Sequence, residues 1–504
     1  MSVKQISLRL TTFFASPGFF WAIIVFFFVE ALWIALSAVY PLPFDEDFHF
    51  GLIKLYSTHW SPFLTSQPPN ADAFGAVARD PSYLYHYLMS FPYRLLTHIV
   101  SNQTTQIIVL RVMNIALFTG SLYLFRKLLL RLTRSGAFTN ITLAIFVLIP
   151  IVPQLAAHIN YDNLLMVLVA WVCLLVTDVH QQFAAGRLRV QTLLTLLALS
   201  LIASIVKYSF LPIFGAVVVF VVCDAWVSFR NLPRLWTAIV NSWRTLSTKA
   251  RWVSVLFVLL ASVLFFQRFG VNTIKYHTPV PECGQVLSVD HCSAYGPWDR
   301  DYQNIQQKSF DLDVNPIKYT YQWLRGLWWR LFFAINSSTR NYTNYPPLPF
   351  PSTTAVVLAI VMGLLIIIFA RRIFTRPLLT FCGLVVFFYC GALWLDNYKM
   401  FAETGQPVAI NGRYLIPVLP LIAAVAWRGF NLIARRLNQV WLKPALASVV
   451  LLLFLQGGGL ITFIMRSDES WYWSNNTVIK VNNTARSVLD PFIIQGSKQT
   501  KAVL

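Results

Sequence analysis

Charge is scarce in this sequence. Only 12% of its 504 residues are Asp, Glu, Lys or Arg, about half the share usual in soluble domains. Set against 57% hydrophobic residues, that scarcity excludes an ordinary water-soluble globule. Acidic side chains are rarer still, 20 against 40 basic ones. The resulting formal charge of +20 does not point to nucleic acid, because Lys and Arg gather in groups at alternate ends of the apolar runs. Strict polar–apolar alternation is missing, which excludes barrel strands and leaves helices as the means of crossing lipid. No Cys/His spacing suggests zinc. Four of the six cysteines, Cys173, Cys223, Cys382 and Cys390, lie within apolar runs as small inert side chains. Internal repeats and low-complexity tracts are absent, and the first apolar segment lacks a small-residue cleavage site.

What is present is a series of apolar runs near bilayer length. Placing the basic groups on the cytoplasmic side predicts about eleven spans. They fall near 18–40, 106–125, 138–154, 163–178, 191–206, 209–226, 252–269, 353–370, 377–395, 412–430 and 444–466. The expectation is an all-α polytopic protein of the plasma membrane, with a cytoplasmic N-terminus and an extracytoplasmic C-terminus. Residues 1–466 form the polytopic unit and 467–504 an outer tail. Most acidic residues then fall outside, with Asp178 and Asp224 at inner ends. Two outer loops, 41–105 and 270–352, are too long for simple turns. The first holds amphipathic stretches near 48–60 and 82–100. The second includes Trp323 to Phe333, which reads as a helix lying in the interface. A basic inner stretch, 227–251, is expected on the membrane surface. Cys283 and Cys292, nine residues apart on the outer side, are a disulfide candidate. Sequons occur at Asn336, Asn341, Asn475 and Asn482.

Chemistry concentrates at the outer helix ends. PFDEDFHF (Pro43 to Phe50) follows the first span and sets Asp45, Glu46 and Asp47 side by side. Three adjacent carboxylates near lipid do not all stay ionised without a cation or substrate to offset them. One of them can serve as a base, or together they can bind a cation. The other reading is a solvated cap of a helix starting between Phe44 and Phe48. On that helix Asp45 and His49 share a face. Later in the loop, ARDPSYLYHY (Ala78 to Tyr87) brings Asp80, whose local explanation is an N-cap ahead of Pro81, and His86 on the helix that follows. Lys207, in VKYSFLP, and Arg413, followed by Tyr414 in INGRYLIPVLP, are cations at membrane depth. Snorkelling is the expectation for Lys207; a bound phosphate is the alternative, and for Arg413 the two stand level. HINYDNLL puts His158, Asn160, Tyr161 and Asp162 at another outer end, with capping expected of Asp162.

An acidic pair after the first span, a Pro-associated Asp later in the same loop and about eleven spans resemble the GT-C superfamily of integral membrane glycosyltransferases. DEDFHFGLIKLYS is similar to the acidic motif of its protein O-mannosyltransferase and aminoarabinose-transferase branches. INGRYLIPVLPL and VKYSFLP resemble a branch of bacterial membrane proteins that carries Gly-Arg-Tyr and Lys-Tyr elements. An extra Asp47-Phe48 separates Asp45-Glu46 from His49, so either Asp45 or Asp47 matches the family's catalytic Asp. The resemblance implies sugar transfer on the outer face, with inversion, from a polyprenyl-phosphate-linked donor to an unknown cell-envelope acceptor. Asp45, Glu46, Asp47 and Asp80 are then the catalytic acids. His49, His86, Lys207, Arg413 and Tyr414 are the substrate-binding set. Some members use a metal and others none; Asp45, Asp47 and Asp80 would hold Mg or Mn if one is used. The competing classes are a transporter or flippase of lipid-linked sugars, and a surface-polysaccharide polymerase or ligase.

Overall fold

The computed structural model describes residues 3–43, 45–307, 315–332, 346–437 and 441–496. The sequons at Asn336 and Asn341 lie outside the described residues. Among those described, the secondary structure is helical throughout, and the one β pairing is an isolated bridge between Ala38 and Tyr472. Eight helices are long and apolar enough to cross a bilayer: Pro17–Ser37, Gln103–Thr133, Asp162–Ala184, Tyr208–Phe229, Thr248–Tyr276, Pro349–Ile373, Pro377–Thr404 and Leu442–Arg466. The other three expected spans are also helical but shorter or more charged: Gly136–Val147, Val190–Val206 and Leu419–Leu437. The protein is therefore a polytopic membrane protein. Pro349–Ile373 exposes Ile360, Leu364, Ile367 and Ile368, an apolar surface of the kind a bilayer covers.

Local signals set the helix ends. Ser16 accepts the Phe19 N–H at 3.0 Å, and Pro17 occupies the first turn of the first span. The run from Val190 to Phe229 breaks at Lys207, where the backbone is extended, before Leu211–Phe229 resumes with Pro212 in its first turn. That break lies a turn earlier than Leu211 and Pro212 alone indicate, because a 3₁₀ turn, Tyr208–Phe210, fills the gap. The last span is interrupted at 456–459 by three consecutive glycines. Glu30, buried in the first span, accepts the Leu460 N–H there at 2.8 Å and restarts the helix.

Gln103–Thr133 is the central post, packed against Asp162–Ala184 and the first span, with Phe27, Phe118, Leu122 and Phe125 buried between them. On the other side Leu211–Phe229 packs on Pro377–Thr404, and Pro349–Ile373 on Leu419–Leu437. The loop helices Glu46–Ser57 and Leu84–Ile99 pack together. Arg94 ties them by donating to the carbonyls of Tyr56, Ser57 and His59. Pro316–Leu331 buries Tyr319, Trp323 and Leu327 on one face. Trp323 bonds to Asn397 of Pro377–Thr404 at 3.0 Å. The basic stretch forms Leu232–Thr245, which buries none of its residues fully. In the tail, Asn482 is buried and bonds to Trp33 and Ser37, so this sequon is closed to modification.

Candidate functional site

The three consecutive acids are pulled apart. Asp45 has φ 69°, a left-handed turn that Asp tolerates better than most residues, and Glu46 opens the following helix. Glu46 is wholly buried against Arg111 of Gln103–Thr133. The pair is bidentate, at 2.8 Å to Oε1 and 2.7 Å to Oε2. The same carboxylate accepts the Leu42 N–H at 2.7 Å and the Ile159 N–H at 3.1 Å. Arg111 also donates to the carbonyls of Ala35 and Ala38. One ion pair thus pins the end of the first span, the acidic loop and the turn before Asp162. Every bonding direction of Glu46 is taken, which removes it from the catalytic acids expected from the sequence. Asp47 is exposed in the first helical turn and does not join the cluster described next.

Asp45 turns the other way, toward Arg413, 368 residues later, at 2.7 Å. The arginine is buried, whereas the Asp45 side chain is 55% exposed. The carboxylate is nonetheless surrounded by protein atoms. Those surroundings oppose ionisation, but Arg413 outweighs them and holds Asp45 below the usual carboxylate range. Arg413 itself sits on a 3₁₀ turn, Gly412–Leu415, whose start is fixed by Asn411 accepting the Arg413 N–H at 3.0 Å. That turn lies directly on Pro316–Leu331: a Cβ at position 412 would come within 2.4 Å of the Leu327 carbonyl oxygen. Glycine is required there for close approach. Arg330 adds a hydrogen bond to the Ile410 carbonyl.

Lys207 does not snorkel. Its ammonium is buried and pairs with Asp162 at 2.6 Å, over the rings of Tyr161 at 4.5 Å and Tyr414 at 4.9 Å. Asp162 is accordingly not a cap; Asn160 accepts the Asp162 N–H instead, at 2.8 Å. An extended residue at the Val206 break aims the lysine inward, toward a carboxylate on another span. Arg413 also lies over the Tyr414 ring, 5.2 Å from its centroid. Two buried cations therefore flank one tyrosine.

The two loop histidines meet. His49 Nδ1 and His86 Nε2 are 2.8 Å apart, with the rings stacked, and His49 packs edge-on against Tyr161 at 4.4 Å. Asp45 and His49 do share a helical turn, through a 3.0 Å backbone bond, but their side chains go to different partners. Burial pushes His86 down to about 3 and also lowers His49 well below its ordinary value, so both are neutral. His158 is lowered as well, again first by burial.

Asp80 is not an N-cap. The helix starts only at Leu84, and Asp80 accepts the Ser82 N–H at 2.8 Å in a tight turn around Pro81. Burial raises its carboxyl. Among the described residues no three Asp, Glu, His or Cys side chains gather to hold a metal ion, and Asp45, Asp47 and Asp80 are not such a group. These donors do not fit a metal centre.

Sequence reasoning missed Tyr295. Cys283 and Cys292 are disulfide-bonded, and Tyr295 follows, its N–H bonded to the Cys292 carbonyl at 2.9 Å. Its ring packs on Phe48 at 6.0 Å. Burial raises its phenol, and the charges of Asp80 and Asp45 both add to that effect. The two acids thus lie within electrostatic reach of one phenol, which Asp45 and Asp80 alone could not have indicated. Comparison with models of known protein families and with curated proteins finds no match.

Proposed function

We propose that the chain is a membrane glycosyltransferase of the GT-C type. It moves a sugar, with inversion, from a polyprenyl-phosphate-linked donor to an acceptor on the extracytoplasmic face. In this reading the eleven helical segments all span, the N-terminus is cytoplasmic, and Asp45 faces outward. One observation carries the proposal: a solvent-reached carboxylate, Asp45, held 2.7 Å from a buried arginine. A base and a phosphate-binding cation are then adjacent.

The chemistry follows from that adjacency. Asp45 takes the proton of the acceptor hydroxyl as its oxygen bonds to the anomeric carbon. The bond from that carbon to the phosphate oxygen breaks, and its electron pair leaves with the polyprenyl phosphate. Arg413, with Lys207 behind Tyr414, meets the charge growing on the phosphate. When donor phosphate draws Arg413 away from Asp45, the carboxylate loses the partner that weakens it as a base. Glu46 and Arg111 position the acidic loop without touching substrate.

Release of free polyprenyl phosphate from a panel of polyprenyl-phosphate sugars tests this. Wild type should release it from one sugar, and Asp45→Asn and Arg413→Ala should both lose release. Donor binding without release, unchanged in the Asp45 variant, would instead mark a transporter; chain growth of a polysaccharide product would mark a polymerase. Gly412→Ala should act like a mild Arg413 variant. Its Cβ forces the turn off Leu327, and a shift of about 1 Å in a positioning group costs about 100-fold in rate. If Gly412→Ala turns over like wild type, the turn does not set the arginine.

A further inference from the structure

The second long loop brings a separate group, Tyr295, within electrostatic reach of Asp45. Residues 277–306 are held by the disulfide, by a 2.7 Å pair between His291 and Asp72 of the first long loop, and by packing of Gly296–Gln306 on Pro377–Thr404. These ties converge on Tyr295. Its ring lies over Gly75, where φ is +70° and a Cβ would stand 3.0 Å from the ring, so the loop beneath must be glycine. The ring is half-buried, beside the equally half-buried Phe48. Its hydroxyl makes no hydrogen bond to a described residue, although Asp45 and Asp80 are both near enough to affect it. Asp80 spends one carboxylate oxygen on Ser82. Arg413 and Lys207 are both buried, whereas Asp45 and the Tyr295 ring are reached by solvent.

We propose that Tyr295, set by the disulfide-tied segment, forms with Phe48 and Asp80 an acceptor subsite for a carbohydrate. This deepens the transferase reading and rests on it. A pyranose presents C–H faces that stack on an aromatic ring, and hydroxyls that donate to carboxylates and to a phenol oxygen. A partly exposed ring packed on Phe48, with two acids near enough to act on its phenol, matches both. The stacked sugar would place one hydroxyl at Asp45, on the side away from the leaving phosphate, as inversion demands. The bonds made and broken are those already given, with the acceptor oxygen now a sugar hydroxyl.

The test uses the purified full chain and the donor that wild type accepts. Polyprenyl phosphate release is followed with water as the nucleophile, and with p-nitrophenyl glycosides added as soluble acceptor probes. Wild type should be accelerated by at least one glycoside. Tyr295→Ala should raise the KM for that glycoside about tenfold, as loss of one aromatic stack does, while release to water stays within about twofold. Tyr295→Phe, which keeps the ring, should lie between the two. Reducing the disulfide in wild type should copy Tyr295→Ala and revert on reoxidation, which guards against a variant that folds poorly. Parallel loss of water release and transfer would make Tyr295 a structural prop and overturn the subsite. So would an unchanged acceptor KM, or a wild type that no glycoside accelerates. If wild type releases nothing from any donor, the transferase reading itself fails and takes the subsite with it.

Discussion

Asp45→Asn should lower the rate of sugar transfer about 1,000-fold, within the range that removal of a general base produces, while the protein still folds. The two halves of that expectation have separate grounds. Asn has nearly the shape of Asp and can keep one bond to Arg413, and the side chain is more than half exposed, so little packing is lost. It cannot take a proton from a hydroxyl. The pH profile gives a sharper check. Burial would raise the Asp45 carboxyl, and Arg413 overrides that and holds it low, so the base form persists through neutral and mildly acidic pH. The acid limb of kcat/KM, which reports the free enzyme, should therefore lie below the ordinary carboxylate range. Arg413→Gln removes the lowering influence and leaves the opposing one, so the limb of the residual activity should move to higher pH. A limb that stays in place would assign the ionisation to another group.

The helices were legible because a run of about 20 apolar residues has few other uses. Lys207 shows what was not legible. Its cost at membrane depth is visible in the sequence, but its partner, Asp162, lies on a different span, and only folding sets them face to face. Asp162 read as a cap for the same reason: local grammar explains an acid at a helix start, and the sequence shows no competitor for it. Asp80 misled similarly, since Asp-Pro suits a helix entry as well as the turn that forms around Ser82. The acidic run announced a place where charged side chains gather, without telling its members apart. Adjacent residues are separated by backbone conformation, and the left-handed turn at Asp45 sends neighbouring carboxylates to Arg413 and Arg111. Tyr295 left only an indirect trace, because two cysteines on the outer side say that a loop is held without saying what it holds.

Arg111→Met should be strongly destabilising. Both partners of the Arg111–Glu46 pair are fully buried, and removing one leaves the other charged and unpaired, at a cost of about 3–5 kcal/mol. Three segments depend on the pair. The carbonyls of Ala35 and Ala38 lose a donor, while Glu46 keeps only the N–H groups of Leu42 and Ile159. Glu46→Gln/Arg111→Met should recover much of the loss, because a neutral amide needs no counter-charge; a double variant destabilised by the sum of the two single losses would show the pair to be uncoupled. The sign of the pH dependence follows from Glu46. Burial pushes its carboxyl up, but Arg111 prevails and the folded value is lowered. A lowered acid contributes stability above its unfolded value and loses it as pH falls through the folded one. Wild type should therefore hold its thermal midpoint in detergent from neutral pH down to the ordinary glutamate range and lose stability progressively below it. Arg111→Met should reverse the trend and gain stability on mild acidification, when protonation discharges the stranded carboxylate. Because Asp45 is bonded through the backbone to Glu46, transfer in Arg111→Met should fall even where the protein remains folded, by displacement of the base rather than its removal.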